Sequence, residues 1–222
     1  MTELLRDAHN RTIHDLRVSL TDRCNFRCFY CLPNGEPPLA RKDTILTFEE
    51  IAEICEIFVS LGIEKIRLTG GEPLLRRDVE KLIEKIALLK VANRKSQIAN
   101  RKLLDLALTT NGFSLKSRAE NLKKAGLDRV TISLDSLNRE NFQRITGVDK
   151  LGEVLEAIEA AQQAEFAPVK INAVIVRGCN DDEIVEFAHF ARENDLSFRF
   201  IEFMPLDAGH EWKREMVAPV ML

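Results

Sequence analysis

Residues 15–31 read DLRVSLTDRCNFRCFYC. The first seven alternate, with Leu16, Val18 and Leu20 pointing one way and Arg17, Ser19 and Thr21 the other, the period of a strand. Three cysteines, Cys24, Cys28 and Cys31, follow at once in a chain that has five in all. Their i, i+4, i+7 spacing could be one stripe of a buried helix. Against that, Arg23, Asn25 and Arg27 interrupt the segment, and Pro33, Gly35, Pro37 and Pro38 end any helix almost immediately. The better reading is a loop at the carboxyl end of a first strand, where α/β folds of both open and barrel type keep their chemistry.

Outward from this loop, strands and helices alternate. TFEEIAEICEIFVSLG (47–62) reads as a helix, with Thr47 and Glu50 at capping-box spacing, an apolar stripe of Ile51, Ile54, Phe58 and Leu61, and Gly62 as its stop. Further strands are expected over 63–71, 105–112, 128–136, 169–178 and 197–207. Helices are expected over 78–90, 115–126, 151–164 and 181–194, the last with Asn180 in capping position. Six strands joined by five helices predict a parallel sheet with right-handed crossovers. Periodicity leaves open whether that sheet is doubly wound or curves into a barrel or part of one. Only VANRKSQIANRK (91–102) breaks the pattern; it has no amphipathic period and reads as a solvated loop rather than a basic binding arm. No interdomain linker is visible, so a single core domain over 1–222 is expected, with an N-terminal arm over 1–14.

Composition excludes several functions. A net charge of −3 offers no general attraction to nucleic acid or lipid, so no DNA, RNA or membrane partner is expected and any anion site must be local. The N-terminal residues lack the apolar core of a secretory signal, and no apolar run is long enough to span a bilayer. An odd number of cysteines without such a signal argues against a disulfide framework and makes the reducing cytoplasm the expected compartment. Metal or redox chemistry is then the better reading of Cys24, Cys28 and Cys31. Zinc would want a fourth ligand, and His9 and His14 are weak candidates for it. Iron–sulfur cubes usually take four thiolates, and three would leave one iron open to a small molecule. Cys55, on the buried face of the first helix, and Cys179, in a Gly-Cys-Asn turn, read as structural.

Strand parity gives a second clue. Arg17 with Ser19, Arg67 with Thr69, Lys170 with Asn172, and Thr131 with Ser133 and Asp135 each share a face opposite the apolar residues. Parallel strands covered on both sides should be almost wholly apolar, and a buried cation needs a partner. Local carboxylates such as Asp15 or Glu72 are one account. A common anion on the concave side is the other, and a polyphosphate suits forked arginine donors and a lysine point charge. Arg199 is harder to fit, because strand parity puts it and Met204 on opposite faces.

CNFRCFYC resembles the CxxxCxxC signature of the radical S-adenosylmethionine enzymes, with Tyr30 as the aromatic residue before the last cysteine. The resemblance implies a partial (βα)6 barrel and a [4Fe-4S] cluster on Cys24, Cys28 and Cys31. It also implies S-adenosylmethionine bound at Tyr30, Gly70, Gly71, Glu72, Ser133 and Met204, with LTGGEP (68–73) as the matching GGEP turn. The blocks IRLTGGEPLLRRD, LTTNG, AGLDRVTISLDSL, ITG, VKINAVIVRGCNDDEI and RFIEFMPLD are further similar to the GTP 3′,8-cyclase family of molybdenum cofactor biosynthesis. That implies GTP as substrate at Arg17, Arg67, Thr109 and Lys170, and a reductant such as flavodoxin or ferredoxin. The implied reaction is reductive cleavage of S-adenosylmethionine to a 5′-deoxyadenosyl radical that takes the ribose 3′ hydrogen, giving 3′,8-cyclo-GTP. The chain departs from that family after the sixth strand. The last barrel helix and the C-terminal extension with a second three-cysteine cluster are not found, and 208–222 reads as the start of that region. A truncated chain is expected to keep the first cluster, to be weakly stable or to associate, for instance as a homodimer, and cyclisation by it alone is in doubt.

Overall fold

The computed structural model describes residues 4–31, 39–91 and 102–204. The prolines after Cys31, most of the 91–102 segment and the chain from 205 onward lie outside the described residues.

The strands are β1 (Asp15–Ser19), β2 (Lys65–Thr69), β3 (Asp105–Thr110), β4 (Arg129–Ser133), β5 (Lys170–Ile175) and β6 (Ser197–Glu202). All neighbours pair in parallel, and their spatial order is their chain order. That order settles the question periodicity left open. A doubly wound sheet reverses its direction of growth at a switch point, and this sheet never does. Right-handed crossovers that always advance the same way put every helix on one face and leave the other face concave. Burial agrees. Ile66, Leu68, Leu106, Leu108, Val130, Ile132, Ile171 and Ala173 face the helices and are fully or almost fully buried. Each large aliphatic side chain so placed contributes about 1.5–3 kcal/mol.

The helices are α1 (Phe48–Ser60), α2 (Val79–Ala87), α3 (Ala119–Lys124), α4 (Arg139–Thr146), α5 (Leu151–Gln163) and α6 (Ile184–Glu193). The capping box of α1 is present: the Thr47 hydroxyl accepts the Glu50 N–H at 3.2 Å, and the Glu50 carboxylate accepts the Thr47 N–H at 2.7 Å. Its buried stripe, however, is Ile51, Cys55 and Val59, while Ile54 is exposed, so the helix is rotated from the expected stripe. Cys55 fills a core position, and burial pushes its thiol up to about 11.

Two further expectations are corrected. α4 was not foreseen: it has only eight residues, with Phe142, Ile145 and Thr146 buried, shorter than the span over which a helical period can be told from chance. Its ends are nonetheless marked, by Asn138, whose Oδ1 accepts the Glu140 and Asn141 N–H groups, and by Gly147 in the left-handed region at φ 73°. Asn180 does not cap α6. Its Oδ1 accepts the Val176 N–H at 2.8 Å, and its amide donates to the Val174 and Asp135 carbonyls.

Candidate active site

The loop after β1 crosses the carboxyl end of the sheet and is tied to several strand ends. At β2 the tie is backbone to backbone: Gly71 N–H donates to Thr21 O at 2.6 Å and Glu72 N–H to Arg23 O at 2.7 Å. A Cβ at Gly70 would lie 2.5 Å from Thr21 O, and one at Gly71 would lie 2.2 Å from Arg23 O. The paired glycines therefore admit the cysteine loop itself. Glu72 is 1 % exposed, and its carboxylate accepts from the Thr110 hydroxyl at 2.8 Å, Asn111 N–H at 2.7 Å and Leu74 N–H at 2.9 Å. It braces the β2 turn on β3 and pairs with none of the strand cations that it was a candidate to neutralise. At β3, Asn111 Nδ2 donates to Asn25 Oδ1 at 2.8 Å and faces Cys24 Sγ at 3.8 Å.

α4 supplies the next tie. Its last carbonyls, Thr146 O and Ile145 O, accept the N–H groups of Arg27 (2.8 Å) and Phe29 (3.1 Å), and Gly147 packs on Arg27. Phe26 stacks edge-on against Phe142 with centroids 6.0 Å apart. The ITG at the end of this helix thus grips the cysteine loop, a contact across more than a hundred residues that no local pattern marks. Past Phe29, which lies 6.4 Å from Phe203 beyond β6, the Tyr30 hydroxyl donates to Asp135 Oδ2 at 2.6 Å.

Cys24 and Cys28 are half-buried and Cys31 is exposed. Burial first, and then the Asp135 carboxylate, push the Cys28 thiol up; burial, then Cys24, then Asp135 do the same for Cys31. Thiols raised in this way ionise only when a cation joins them. Among the described residues no set of three or more His, Cys, Asp and Glu side chains is drawn together closely enough to hold a metal ion. Three thiols of one loop, with no fourth His, Cys, Asp or Glu drawn in among the described residues, are a donor set that suits a cube with one open iron better than a zinc ion, which needs four donors.

Below this tier lies the concave face. A cavity of about 410 Å³ is lined by Arg17, Lys65, Arg67, Asp15, Asp105, Thr109, Asn172 and Arg199, among others. Arg17 and Arg67 are register partners. Burial first, then Arg199, Arg129 and Arg17, hold the Arg67 guanidinium below its ordinary value; burial, then Arg129, Arg199 and Arg67, do the same for Lys170. Arg129 is neutralised by an ion pair with Asp105. Thr109 Oγ1 and Asn172 Oδ1 are buried without a hydrogen-bond partner in this structure. Arg17, Arg67 and Lys170 thus share one face, as strand parity led one to expect, and Thr109, named only through the family resemblance, lies on it too. Arg199 joins them, because β6 ends at Glu202 and parity does not govern Met204 beyond it. Lys65 was missed, although it is two residues from Arg67 on the same face. Ser133, at the carboxyl end of β4, is the register partner of Asn172. Gly70, Gly71, Ser133 and the half-exposed Met204 all lie at strand ends, in the tier of the cysteine loop.

Comparison with known proteins fits this layout. The sequence model of the Radical SAM superfamily matches residues 18–191. The chain belongs to the radical SAM superfamily. Membership implies a [4Fe-4S] cluster and S-adenosylmethionine. Among curated proteins, the GTP 3′,8-cyclase of Syntrophomonas wolfei is 48% identical over 213 residues, which are 96% of this chain and 62% of that protein. The GTP 3′,8-cyclase of Streptomyces coelicolor is 46% identical, over 96% of this chain and 59% of its own length. The chain thus spans about three fifths of the curated relatives it matches. Streptococcus suis SuiB bound to S-adenosylmethionine has the same fold, with a TM-score of 0.71 at 19% identity over 90% of this chain and 43% of that one. So does anSMEcpe with bound AdoMet, with a TM-score of 0.68 at 22% identity over 87% of this chain and 52% of that one. No helix among the described residues is long and apolar enough to cross a membrane.

Proposed function

We propose that the chain carries out GTP 3′,8-cyclase-type radical chemistry, with Cys24, Cys28 and Cys31 as cluster ligands and GTP as substrate. The observation that carries this is the basin of like charge. Arg17, Lys65, Arg67, Lys170 and Arg199 share one concave face and repel one another, and no carboxylate of the described chain offsets them beyond Asp15 and Asp105. Such a basin favours a polyphosphate, and arginine forks suit its oxygens. The unpartnered Thr109 Oγ1 and Asn172 Oδ1 supply hydrogen-bonding sites for the rest of the ligand.

Tyr30, Gly70, Gly71, Glu72, Ser133 and Met204 are read as the S-adenosylmethionine site because they ring the strand ends beside the cysteine loop. Glu72 acts there through the turn it braces, its own oxygens being taken. Bound together, the cluster and S-adenosylmethionine supply radical generation, with the electron coming from a reductant such as flavodoxin or ferredoxin. The residues of this chain hold the phosphates deep in the basin and so place the ribose under the upper tier.

The test is anaerobic reconstitution with iron counted, followed by measurement of 5′-deoxyadenosine with and without GTP. The reading expects iron uptake, GTP-stimulated cleavage and 3′,8-cyclo-GTP. Cleavage that ignores GTP, with no cyclised product, would replace GTP by another substrate; absence of iron would remove the radical chemistry altogether.

A further inference from the structure

We propose that Asp135 is a positioning residue for the cysteine loop, acting through Tyr30. The inference rests on reading Cys24, Cys28 and Cys31 as cluster ligands. Tyr30 is the only tyrosine of the chain and stands between Cys28 and Cys31. Its hydroxyl donates to Asp135 Oδ2 at 2.6 Å, joining positions 105 apart in sequence. Asp135 is 3 % exposed, just past the end of β4. Its other oxygen accepts the Val174 N–H at 2.8 Å.

The backbone around Asp135 is held independently of Tyr30. Its carbonyl accepts from Asn180, which is itself fixed by Val176 N–H and Val174 O. The next residue, Ser136, donates to the Glu183 carboxylate at 2.7 Å, and Leu137 N–H does so at 2.7 Å. A strut between β4 and β5 therefore exists without the phenol. Tyr30 contributes nothing further to that strut; what it gains is a fixed anchor for the end of its own loop. Cys31 is exposed, and its N–H is spent inside the loop on Cys28 O at 2.9 Å. The Tyr30–Asp135 bond ties the residue next to this last thiol to the end of β4, and the same hydroxyl lies against the Cys28 thiol. A phenol donating to a buried carboxylate is a charge-assisted bond, about twice as strong as a neutral one.

The test compares wild type, Tyr30→Phe, Asp135→Ala and Asp135→Asn after anaerobic reconstitution. The readouts are iron content, the rate of iron loss to a chelator, and the change that S-adenosylmethionine makes in the electron paramagnetic resonance spectrum of the reduced cluster. Tyr30→Phe and Asp135→Ala should take up full iron, lose it about tenfold faster, and show a weakened spectral response. Their double variant should be no worse than either alone. Asp135→Asn should stay within about twofold of wild type, since its carbonyl can accept Val174 N–H while its amide donates to the phenol oxygen. Wild-type rates in both Tyr30→Phe and Asp135→Ala would overturn the proposal, as would additive losses in the double variant. Should Asp135→Ala fail to fold, Tyr30→Phe decides alone, because it leaves the Asp135–Val174 contact in place. A wild type that binds no iron would instead sink the cluster reading on which the proposal rests.

Discussion

Gly71→Ala should part the cysteine loop from the sheet. The added Cβ would lie 2.2 Å from Arg23 O, 2.6 Å from Arg23 C and 2.9 Å from Asp22 O. All three are backbone atoms, so no side chain can swing aside. Reaching ordinary contact requires the two segments to separate by more than ~1 Å. Two hydrogen bonds, Gly71 N–H to Thr21 O at 2.6 Å and Glu72 N–H to Arg23 O at 2.7 Å, cannot survive that movement. Each is worth about 1 kcal/mol, and overpacking of this kind costs about 1–3 kcal/mol. The expected loss is therefore roughly 3–5 kcal/mol, a large part of the 5–15 kcal/mol typical of a whole domain. Urea denaturation of the reduced, metal-free protein measures it, and alkylation of Cys24 should speed up in parallel. Gly112→Ala is the control. Gly112, unlike Gly71, sits in the left-handed region, at φ 84°, and an added Cβ there meets only side-chain atoms at 3.1 Å or more. It should cost about 1 kcal/mol. A Gly71→Ala protein within about 1 kcal/mol of wild type, or no worse than Gly112→Ala, would refute the reasoning.

Three further outcomes are expected. Asn138→Ala removes the cap of α4 and should cost about 1 kcal/mol; it should also quicken alkylation of the loop cysteines, because α4 carbonyls hold Arg27 and Phe29, whereas Thr47→Ala at the cap of α1 should cost as much and leave them unchanged. Inorganic tripolyphosphate should stabilise the metal-free protein by up to about 2.7 kcal/mol at a hundredfold excess over its dissociation constant, less so in high salt, and not when Arg67 is replaced by Met, as thermal melting would show. Burial pushes Asp135 up to about 6 from an ordinary 3.8. The folded state then binds the extra proton, so this contribution is full below pH ~4 and is lost as pH rises to ~6. Asp135→Asn should lack that loss, and its stability relative to wild type should climb over the window by up to about 3 kcal/mol, read by denaturant titrations at several pH values.

Strand positions were legible because a parallel strand covered by helices needs apolar residues at every second position, and Leu106, Leu108, Val130 and Ile132 supply them in plain alternation. The faces of Arg17, Arg67 and Lys170 followed from the same parity. What sequence hid had three physical sources. α4 is only eight residues long, too short for its period to stand out, so its caps carry the clearer signal. The rotation of α1 turns Ile54 outward and Val59 inward while Cys55 stays on the buried face where the sequence had put it, a choice made by packing against α2 and not by hydrophobicity, since all three residues are apolar. The network of Asn180 and Glu183 joins segments about 45 residues apart through bonds to backbone atoms, which leave no local pattern. The glycine pair at 70–71 was visible, but what it approaches was not. Only the fold shows the loop of residues 21–23 against it.

The two tiers place opposite demands on the chain. In the upper tier nearly every polar group is already committed: Glu72 to three donors, Asp135 to two, Asn180 to three partners, the glycine turn to the cysteine loop. In the lower tier the reverse holds. Among the described residues Arg17, Lys65, Arg67, Arg129, Lys170 and Arg199 face only the carboxylates Asp15 and Asp105, and Asp105 is bonded to Arg129 while its charge also acts on Arg67 and Lys170. Like charges on neighbouring strands oppose folding, so an empty basin weakens the sheet that carries it. A rigid frame above is what lets that repulsion persist, because the strand ends cannot splay to relieve it. On the proposed function that relief comes from a bound anion, and one held by the cations of β1, β2 and β5 would lie beside Thr109 and Asn172, the latter the register partner of Ser133 at the end of β4. On that reading charge in the lower tier sets depth, and the largely bonded upper tier sets what the ligand would meet there.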